Sequence, residues 1–250
     1  MIELLLVGMG TGNPDHLTRQ AVRALNSADL ILIPRKGETK EDLAGLRRTI
    51  CADVVTNPGT RIAEFDLPVR DPDIADYIAR VAAWHDALAA VWKDTILAEI
   101  GAQGRVALLV WGDPSLYDST LRIADRLAES LTLSVTVIPG ITSLQALTAA
   151  HAIPLNKVGA PVTITTGRQL RDSGWPEGAD TLAVMLDGEC SFQAIDPGGV
   201  TIWWGAFVGM PEEITLSGPL ATTGPQIVAR RAAARQRHGW VMDIYILRRG

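Results

Sequence analysis

The chain has 250 residues, of which 47% are hydrophobic and 20% charged, and its formal net charge at pH 7 is −5. This composition is typical of a globular protein with a sizeable core and excludes a disordered chain, and the acidic balance argues against binding of nucleic acid. The two cysteines lie far apart in the sequence, no signal-peptide pattern is present, and no apolar run approaches the ~20 residues that span a bilayer. We therefore expect a cytoplasmic protein that binds neither nucleic acid nor a membrane.

The first predicted unit is a strand, a glycine-rich loop, a helix and a second strand. Residues 2–7 form a short apolar run typical of a buried strand, and residues 28–33 form another. In the loop between them, Asn13 suits the N-cap of a helix and Pro14 suits its first turn. These elements predict a βαβ unit with a right-handed crossover.

The next segment is expected to contain two helices and an intervening strand. A short amphipathic helix would present Leu43, Leu46 and Ile50 to the core, and a strand is expected near residues 62–67. Beyond it, apolar residues recur at threes and fours, which predicts a long helix with one face against the core. That face comprises Ile74, Tyr77, Ile78, Val81, Trp84, Leu88, Val91, Trp92 and Ile96.

Two further strands end in residues that suit ligand binding. Residues 106–110 form a buried strand followed by Gly112-Asp113-Pro114, where Asp113 suits a helix cap or a ligand and the proline suits a first helical turn. Residues 135–138 form the next strand, after which Thr142-Ser143 opens a helix. Since ligands of an open parallel sheet bind at the carboxyl ends of its strands, we expect a small-molecule site here.

The second half of the sequence has strands that are richer in β-branched residues. Strands are expected over residues 162–166, 181–186, 200–204, 214–217 and 240–247, and a helix over residues 225–237. We place a domain boundary near Pro154, between an N-terminal α/β domain (residues 1–153) and a C-terminal α/β domain (residues 158–250). The first domain should contain a parallel sheet and the second a mixed sheet with fewer helices.

The glycine loop departs from the dinucleotide-binding pattern. Its third glycine, Gly12, comes one residue early, and Asn13 stands in the required place. The second strand ends at Pro34 with no acidic residue for a ribose, although Arg35 would suit a 2′-phosphate. These residues leave two interpretations of the glycine loop open: an NADP-binding loop of an oxidoreductase and a purely structural turn. The histidines and cysteines lack metal-ligand spacing, so no metal site is expected.

The order and spacing of these motifs resemble those of the tetrapyrrole methylases over the whole chain. Residues 7–18 resemble the opening motif of that family, Gly112-Asp113-Pro114-Ser115-Leu116-Tyr117 its second motif, and residues 138–143 its third. Ala152-Ile153-Pro154-Leu155 resembles the end of its first domain. His16 departs from the pattern, since most of the family has an apolar residue there, and the effect on the site stays open.

The resemblance implies two α/β domains with S-adenosylmethionine bound in the cleft between them, usually in a homodimer. It assigns to the cofactor residues at strand ends in both domains: Gly112, Asp113, Leu116, Thr142, Ser143, Met185, Leu186 and Ala206. The first glycine loop would border the macrocycle. The residues expected to contact the substrate are Gly8, Gly10, Asp15, Arg35, Lys36 and Tyr117.

The chain shows a narrower resemblance to family members that act on precorrin-5 in aerobic cobalamin biosynthesis. The segments that carry it are residues 36–43, 46–51, 84–85 and 238–245. It implies methylation of C1 with loss of an acetyl group as acetate and release of S-adenosylhomocysteine. Loss of the acetyl group requires a water and a base. The chemically capable side chains are Asp15, His16, Asp113, Tyr117 and Glu189, and the sequence does not choose among them.

The many carboxylates of such a substrate require a basic patch on an acidic protein. The densest group of cations comprises Arg35, Lys36, Lys40, Arg47 and Arg48, although a solvated helix face is equally open for Arg47 and Arg48. Other interpretations also stay open: methylation at another precorrin position, methylation of a histidine derivative in a translation factor, and a non-catalytic tetrapyrrole-binding module.

Overall fold

The computed structural model describes residues 1–35 and 41–250, with the backbone alone at residues 41–44. The chain divides into two compact units, Met1–Thr142 and Ser143–Gly250. This division lies upstream of the position near Pro154 that the sequence suggested. The difference arises because the helix that follows Thr142 packs on strands of the second unit.

The first unit is built on a parallel five-stranded sheet. Its strands are β1 (Ile2–Gly8), β2 (Leu30–Arg35), β3 (Arg61–Asp66), β4 (Gly104–Val110) and β5 (Leu133–Ile138), in the order β3-β2-β4-β1-β5. Its helices are α1 (Arg19–Ser27), α2 (Glu41–Val54), α3 (Tyr77–Ile100) and α4 (Thr120–Ala128). Because every neighbouring pair of strands is parallel, all five strands end at the same edge of the sheet.

Both faces of this sheet are covered by apolar side chains. Leu4 of β1 belongs to a buried cluster with Trp92 of α3, whereas its neighbour Leu5 belongs to a second cluster with Leu25 of α1. A strand that is buried on both faces needs apolar residues at successive positions, which is why residues 2–7 show no alternation.

Two helices of the first unit begin later than predicted. Asn13 caps only a 3-10 helix (Pro14–His16), and α1 starts at Arg19 behind the side-chain cap of Thr18. The prediction of a helix starting at Pro114 is also wrong, because the residues after it form turns and α4 begins at Thr120. The glycine loop is consequently longer and less regular than the motif suggested.

The long helix α3 starts at Tyr77, where Asp76 supplies the side-chain cap. Tyr77 and Ile78 were predicted to face the core, but they are 52% and 77% exposed in the first turn. Further along the helix, Leu88, Trp92 and Ile96 are buried as predicted.

The second unit contains a mixed sheet, as predicted. Its strands are β6 (Val162–Thr166), β7 (Thr181–Met185), β8 (Val200–Ala206), β9 (Ile214–Pro219) and β10 (Asp243–Arg249), in the order β6-β7-β10-β8-β9. Strands β6 and β7 are parallel, and the remaining pairs are antiparallel. The helices are α5 (Ser143–Ala150), α6 (Gly167–Ser173), which was not predicted, and α7 (Leu220–His238).

Cys51 and Cys190 are buried free thiols, and burial raises the pKa of each to about 11. Both are therefore protonated and unreactive near neutral pH. Among the described residues, no helix has both the length and the apolar character required to cross a membrane.

Candidate functional site at the strand ends of the two sheets

Three glycines allow the loops after β1, β4 and β5 to touch through their backbones. A Cβ atom on Gly8 would lie 2.6 Å from the nitrogen of Gly140, and one on Gly140 would lie 2.0 Å from the carbonyl oxygen of Gly112. Neither position can accept a larger residue without moving the backbone. We call this region, residues 8–10, 112–113 and 140–142, the glycine edge.

Gly10 and Gly112 join two of these loops through a pair of hydrogen bonds. The Gly112 N–H donates to the Gly10 carbonyl at 2.8 Å, and the Gly10 N–H donates to the Gly112 carbonyl at 3.3 Å. Both residues have positive φ, +72° and +65°, which glycine adopts readily. A Cβ atom on Gly112 would meet only the Cα of Thr142, at 3.8 Å. The space beside Gly112 is therefore open, so a ligand could approach the backbone there.

The carboxylate of Asp113 links two loops of the glycine edge. One oxygen accepts from the Gly140 N–H at 2.9 Å, and the other accepts from the backbone N–H of Ser115 at 2.8 Å and from its hydroxyl. Burial alone would raise the pKa of Asp113, but these hydrogen bonds outweigh it and hold the pKa below its usual value. The side chain caps no helix and has both oxygens engaged.

The remaining residues of the second and third motifs belong to the glycine edge or follow it closely in the sequence. Thr142 is buried, Leu116 is half-buried, and Ser143 is the first residue of α5. Tyr117 combines a left-handed backbone (φ +51°) with a side chain that is 45% exposed, and partial burial of its hydroxyl raises its pKa. A non-glycine residue in this conformation is strained, and such strain is concentrated at ligand sites.

His16 lies directly on the glycine edge. A Cβ atom on Gly10 would be 3.0 Å from the Cβ of His16, so this glycine makes room for the histidine. The Nδ1 of His16 is 2.8 Å from the hydroxyl oxygen of Thr11, which is 4% exposed. The neighbouring Asp15 is exposed. The pairing of Thr11 with His16 could not be read from the sequence, since both residues fall within an irregular loop.

The arginines at the end of β2 and on α2 are paired with carboxylates. Arg35 forms an ion pair with Asp66 at 3.1 Å and a longer one with Glu64 at 3.8 Å. Arg48 contacts Glu64 at 2.8 Å. These side chains therefore belong to a mixed-charge surface along β2 and β3, in contrast to the basic patch that the sequence suggested.

Arg47 does not lie on a solvated helix face. Its Nε donates to the carbonyl of Leu109, near the end of β4, at 3.0 Å. Burial lowers the pKa of Arg47 to about 10, although the charge of Asp118 acts in the opposite direction. The expected substrate cations Lys36 and Lys40 lie outside the described residues.

The second unit has its own edge where strand ends meet, at the ends of β7 and β8 and the start of β10. Asp243 pairs with Ala206 across this edge. Met185 is half-buried and Ala206 is fully buried, whereas Leu186 is 66% exposed and has a left-handed backbone (φ +52°). We call residues 185–191, 206–207 and 243 the second edge.

Asp187 fixes the backbone that follows Leu186. Its carboxylate accepts hydrogen bonds from the N–H of Ser191 at 2.6 Å, from the Ser191 hydroxyl at 2.9 Å and from the Tyr245 hydroxyl at 2.7 Å. A Cβ atom on Gly167 would lie 2.4 Å from its carboxyl carbon, so α6 must begin with a glycine. Apart from the position of an aspartate directly after a strand, no sequence pattern indicated this role.

Arg231 and Asp243 form a buried ion pair beside that loop. The Arg231 Nε lies 2.9 Å from an Asp243 oxygen, which also accepts from the indole N–H of Trp204 at 2.9 Å. The guanidinium donates in addition to the carbonyl of Asp187 at 3.2 Å. Burial raises the pKa of Asp243, and the hydrogen bonds from Arg231 and Trp204 offset this only in part. Sequence reasoning missed both residues.

The fold and the open backbone at the glycine edge define an α/β protein whose strand ends can accept a small molecule and whose first loop departs from the dinucleotide-binding pattern. A sequence model of the tetrapyrrole (corrin/porphyrin) methylases matches residues 3–223. The chain belongs to this family.

Three individual proteins show how similar this chain is to particular members of the family and to solved structures. A precorrin-6A synthase [deacetylating] from Sinorhizobium sp. is 49% identical over all of this chain and 96% of its own length. A cobalamin-synthesis-related protein (CobF) from Corynebacterium diphtheriae has a TM-score of 0.84 at 38% identity, covering 100% of this chain and 99% of that one. Uroporphyrin-III C-methyltransferase from Thermus thermophilus, complexed with S-adenyl homocysteine, shares the fold at 21% identity, with a TM-score of 0.59 over 98% and 96% of the two chains.

Proposed function

We propose that this protein is an S-adenosylmethionine-dependent methyltransferase of cobalamin biosynthesis. It methylates C1 of precorrin-5, releases the acetyl group as acetate and so produces precorrin-6A and S-adenosylhomocysteine. The observation that carries this proposal is the 49% identity, over the whole chain, to a precorrin-6A synthase [deacetylating].

The two edges fit the cofactor. S-adenosylmethionine carries an amino group and a carboxylate, which need backbone or hydroxyl partners, and an adenosine, which needs an apolar surface. The open backbone at Gly112 offers the first kind of contact, and the exposed side chain of Leu186 offers the second. We infer that the cofactor residues are Gly112, Asp113, Leu116, Thr142, Ser143, Met185, Leu186 and Ala206.

The chain contributes the positioning of both reactants to the reaction. When bound, the cofactor supplies an electrophilic methyl group on a sulfonium. Displacement at that carbon demands an in-line approach at short distance, so rigid placement of both reactants supplies much of the rate. The interlocked backbones of Gly8, Gly112 and Gly140 provide this rigidity at one edge, and the hydrogen bonds of Asp187 provide it at the other.

The substrate is expected to border the first loops. We propose that the macrocycle of the substrate contacts residues at or near the glycine edge. These residues are Gly8, Gly10, Asp15 and Tyr117. Arg35 is proposed to bind a substrate carboxylate, for which it must exchange its contact with Asp66. Charge-assisted contacts of this kind give specificity as well as affinity.

We further propose that the protein is a cytoplasmic homodimer. The outer strand β5 supports self-association, because Val135 and Val137 are 40% and 39% exposed on an edge of the first sheet. Sedimentation that shows a monomer at micromolar concentration would contradict this part of the proposal.

Calorimetry and product analysis test the function. We expect S-adenosylmethionine and S-adenosylhomocysteine to bind and NADP not to bind. With precorrin-5, mass spectrometry should show a macrocycle that has gained one methyl group and lost its acetyl group. Gain of a methyl group with the acetyl retained would indicate another precorrin position, and binding without turnover would indicate a non-catalytic module.

A further inference from the structure

The deacetylating reaction needs a base that no motif identifies. On the basis of the proposed function, we propose that His16 is the general base of the acetyl-release step and that Thr11 orients it. Of the candidate side chains, His16 alone combines a position on the glycine edge, a fixed ring and a nitrogen available to a water molecule. Imidazole ionises nearest to neutral pH among side chains, which makes histidine the commonest general base.

One ring nitrogen of His16 is held, and the other is available. The Nδ1 atom lies 2.8 Å from the hydroxyl oxygen of Thr11, a residue with only 4% exposure, while the Cβ packs on Gly10. Within the described residues, this is the one hydrogen bond that the structure shows for the ring. When Nδ1–H donates to Thr11, the lone pair resides on Nε2, which can accept a proton from water.

The carboxylates of Asp113 and Glu189 are already engaged in contacts with other residues. Asp113 accepts hydrogen bonds from Gly140 and Ser115, and its lowered pKa makes it a weak base. Glu189 forms an ion pair with Arg171 on the second unit. Neither carboxylate can take a proton without loss of these contacts.

Tyr117 and Asp15 are also poorer candidates. Burial raises the pKa of Tyr117, so its phenolate form is scarce near neutral pH. Asp15 is exposed, and among the described residues no hydrogen bond or ion pair holds its carboxylate in place. His16 is therefore the strongest candidate for the general base.

The acetyl-release step consumes one water molecule, and the methyl donor of the proposed function then takes up the electron pair left on C1. Nε2 of His16 takes a proton from water as the oxygen bonds to the acetyl carbonyl carbon. The tetrahedral adduct then breaks its bond to C1, so that acetic acid leaves and the bonding electron pair stays on C1. That electron pair forms the new carbon–methyl bond when the sulfonium carbon–sulfur bond breaks, and the proton on His16 returns to solvent.

Two substitutions of His16 distinguish a role as general base from a purely structural role. His16→Asn places an amide where Nδ1 meets Thr11 but has no counterpart of Nε2, and His16→Ala opens a space for added imidazole. We expect kcat to fall by about 10²–10⁴-fold in both variants, the usual contribution of a general base. The affinity for S-adenosylhomocysteine should stay within about twofold, and free imidazole should restore turnover in His16→Ala alone.

Thr11 and His151 provide the controls. Thr11→Val should lower kcat with little change in KM, and its effect should vanish in the His16→Asn background, whereas Thr11→Ser should restore turnover. His151, whose Nε2 contacts the Trp204 carbonyl at 3.0 Å, is the matched control, and His151→Gln should retain wild-type turnover and show no response to imidazole.

These experiments distinguish a failure of the proposed function from a failure of the assignment of His16 as the base. If the wild-type protein does not deacetylate precorrin-5, the proposed function fails. If the wild-type protein does so and His16→Asn retains its kcat, the assignment of His16 is wrong. A His16→Ala variant that binds S-adenosylhomocysteine normally but does not respond to imidazole would likewise overturn it, whereas loss of that binding in both His16 variants would assign His16 a structural role.

Discussion

The glycine edge and the second edge hold a strand end in place by opposite means. At the glycine edge, backbones interlock because Gly8 and Gly140 have no side chains, and the left-handed backbone of Gly112 carries little strain. At the second edge, Leu186 adopts a left-handed backbone despite its side chain, and the hydrogen bonds of Asp187 hold it there.

The comparison shows that a ligand-binding strand end can be rigid through sterics or through buried polar contacts. The close contact between Gly8 and Gly140 is insensitive to pH and salt but tolerates no added atoms. The second edge depends on charges that must stay paired, because an unpaired buried charge is costly. Mutations should therefore affect the two edges in different ways.

The largest effect is expected from Gly140→Ala at the glycine edge. Its Cβ would lie 2.0 Å from the Gly112 carbonyl oxygen, so the loops after β1, β4 and β5 cannot keep their contact. We expect no cooperative thermal unfolding transition. The matched variant Gly112→Ala has open space and should fold with a loss of about 1–2 kcal/mol, due to its positive φ. Equal stability of the two variants would contradict the steric account.

Arg231→Ala should be the most damaging change at the second edge. It leaves the buried carboxylate of Asp243 without its ion-pair partner, which costs about 3–5 kcal/mol in such sites. Chemical denaturation measures the loss, and Arg231→Ala combined with Asp243→Asn should recover part of it because the unpaired charge of Asp243 is then removed.

The loss in Arg231→Ala should also depend on pH. Burial already raises the pKa of Asp243, and removal of Arg231 raises it further. A native state that binds a proton more tightly than the unfolded state gains stability as pH falls, so the variant should be closer to wild type at about pH 5 than at about pH 8. A loss that does not change with pH would contradict a charge-based second edge.

Asp113→Ala should cost less, about 1.5–3 kcal/mol, through loss of hydrogen bonds to a charged group. The sequence left a helix cap and a ligand contact open for Asp113, so stability and cofactor binding are both measured. Because Asp113 joins the loops of the glycine edge, we expect both to fall together, as measured by calorimetry and thermal denaturation. Loss of stability with unchanged affinity for S-adenosylhomocysteine would show that the glycine edge does not position the cofactor.

The smallest effect is expected at Arg35, outside both edges. Arg35→Ala should raise the KM for precorrin-5 at least tenfold, about 1.4 kcal/mol, while its exposed ion pairs contribute about 0–1 kcal/mol to stability. Asp66→Asn should lower the KM, since Asp66 competes for the same guanidinium. Added salt should weaken substrate binding in the wild type. An unchanged KM in both variants would remove Arg35 from the substrate site.

Sequence patterns predicted the glycine edge better than the second edge, for a physical reason. Apolar runs followed by glycine identify the ends of parallel strands, and parallel strands must end together, so the sequence predicts that Gly112 and Thr142 lie near one another. The family resemblance is confirmed by the comparisons, and the predicted parallel and mixed sheets are confirmed by the fold.

The second edge depends on contacts between residues that are distant in sequence. Arg231 lies in the middle of a helix, where an arginine usually faces solvent, and nothing local indicates that it reaches Asp243 and the Asp187 carbonyl. Arg47 was ambiguous for the same reason, because the helical pattern does not show that its guanidinium reaches Leu109. The start of α4 was misplaced because Asp113 bonds Gly140, a partner on another strand end.

The central claim is that this chain replaces the acetyl group on C1 of precorrin-5 with a methyl group. The most direct measurement is mass spectrometry of both products after a reaction with methyl-deuterated S-adenosylmethionine in heavy-oxygen water. The account predicts a macrocycle that carries the deuterated methyl group and lacks the acetyl group, together with acetate that has gained one oxygen from water. A labelled macrocycle that retains its acetyl group, or acetate without heavy oxygen, would contradict it.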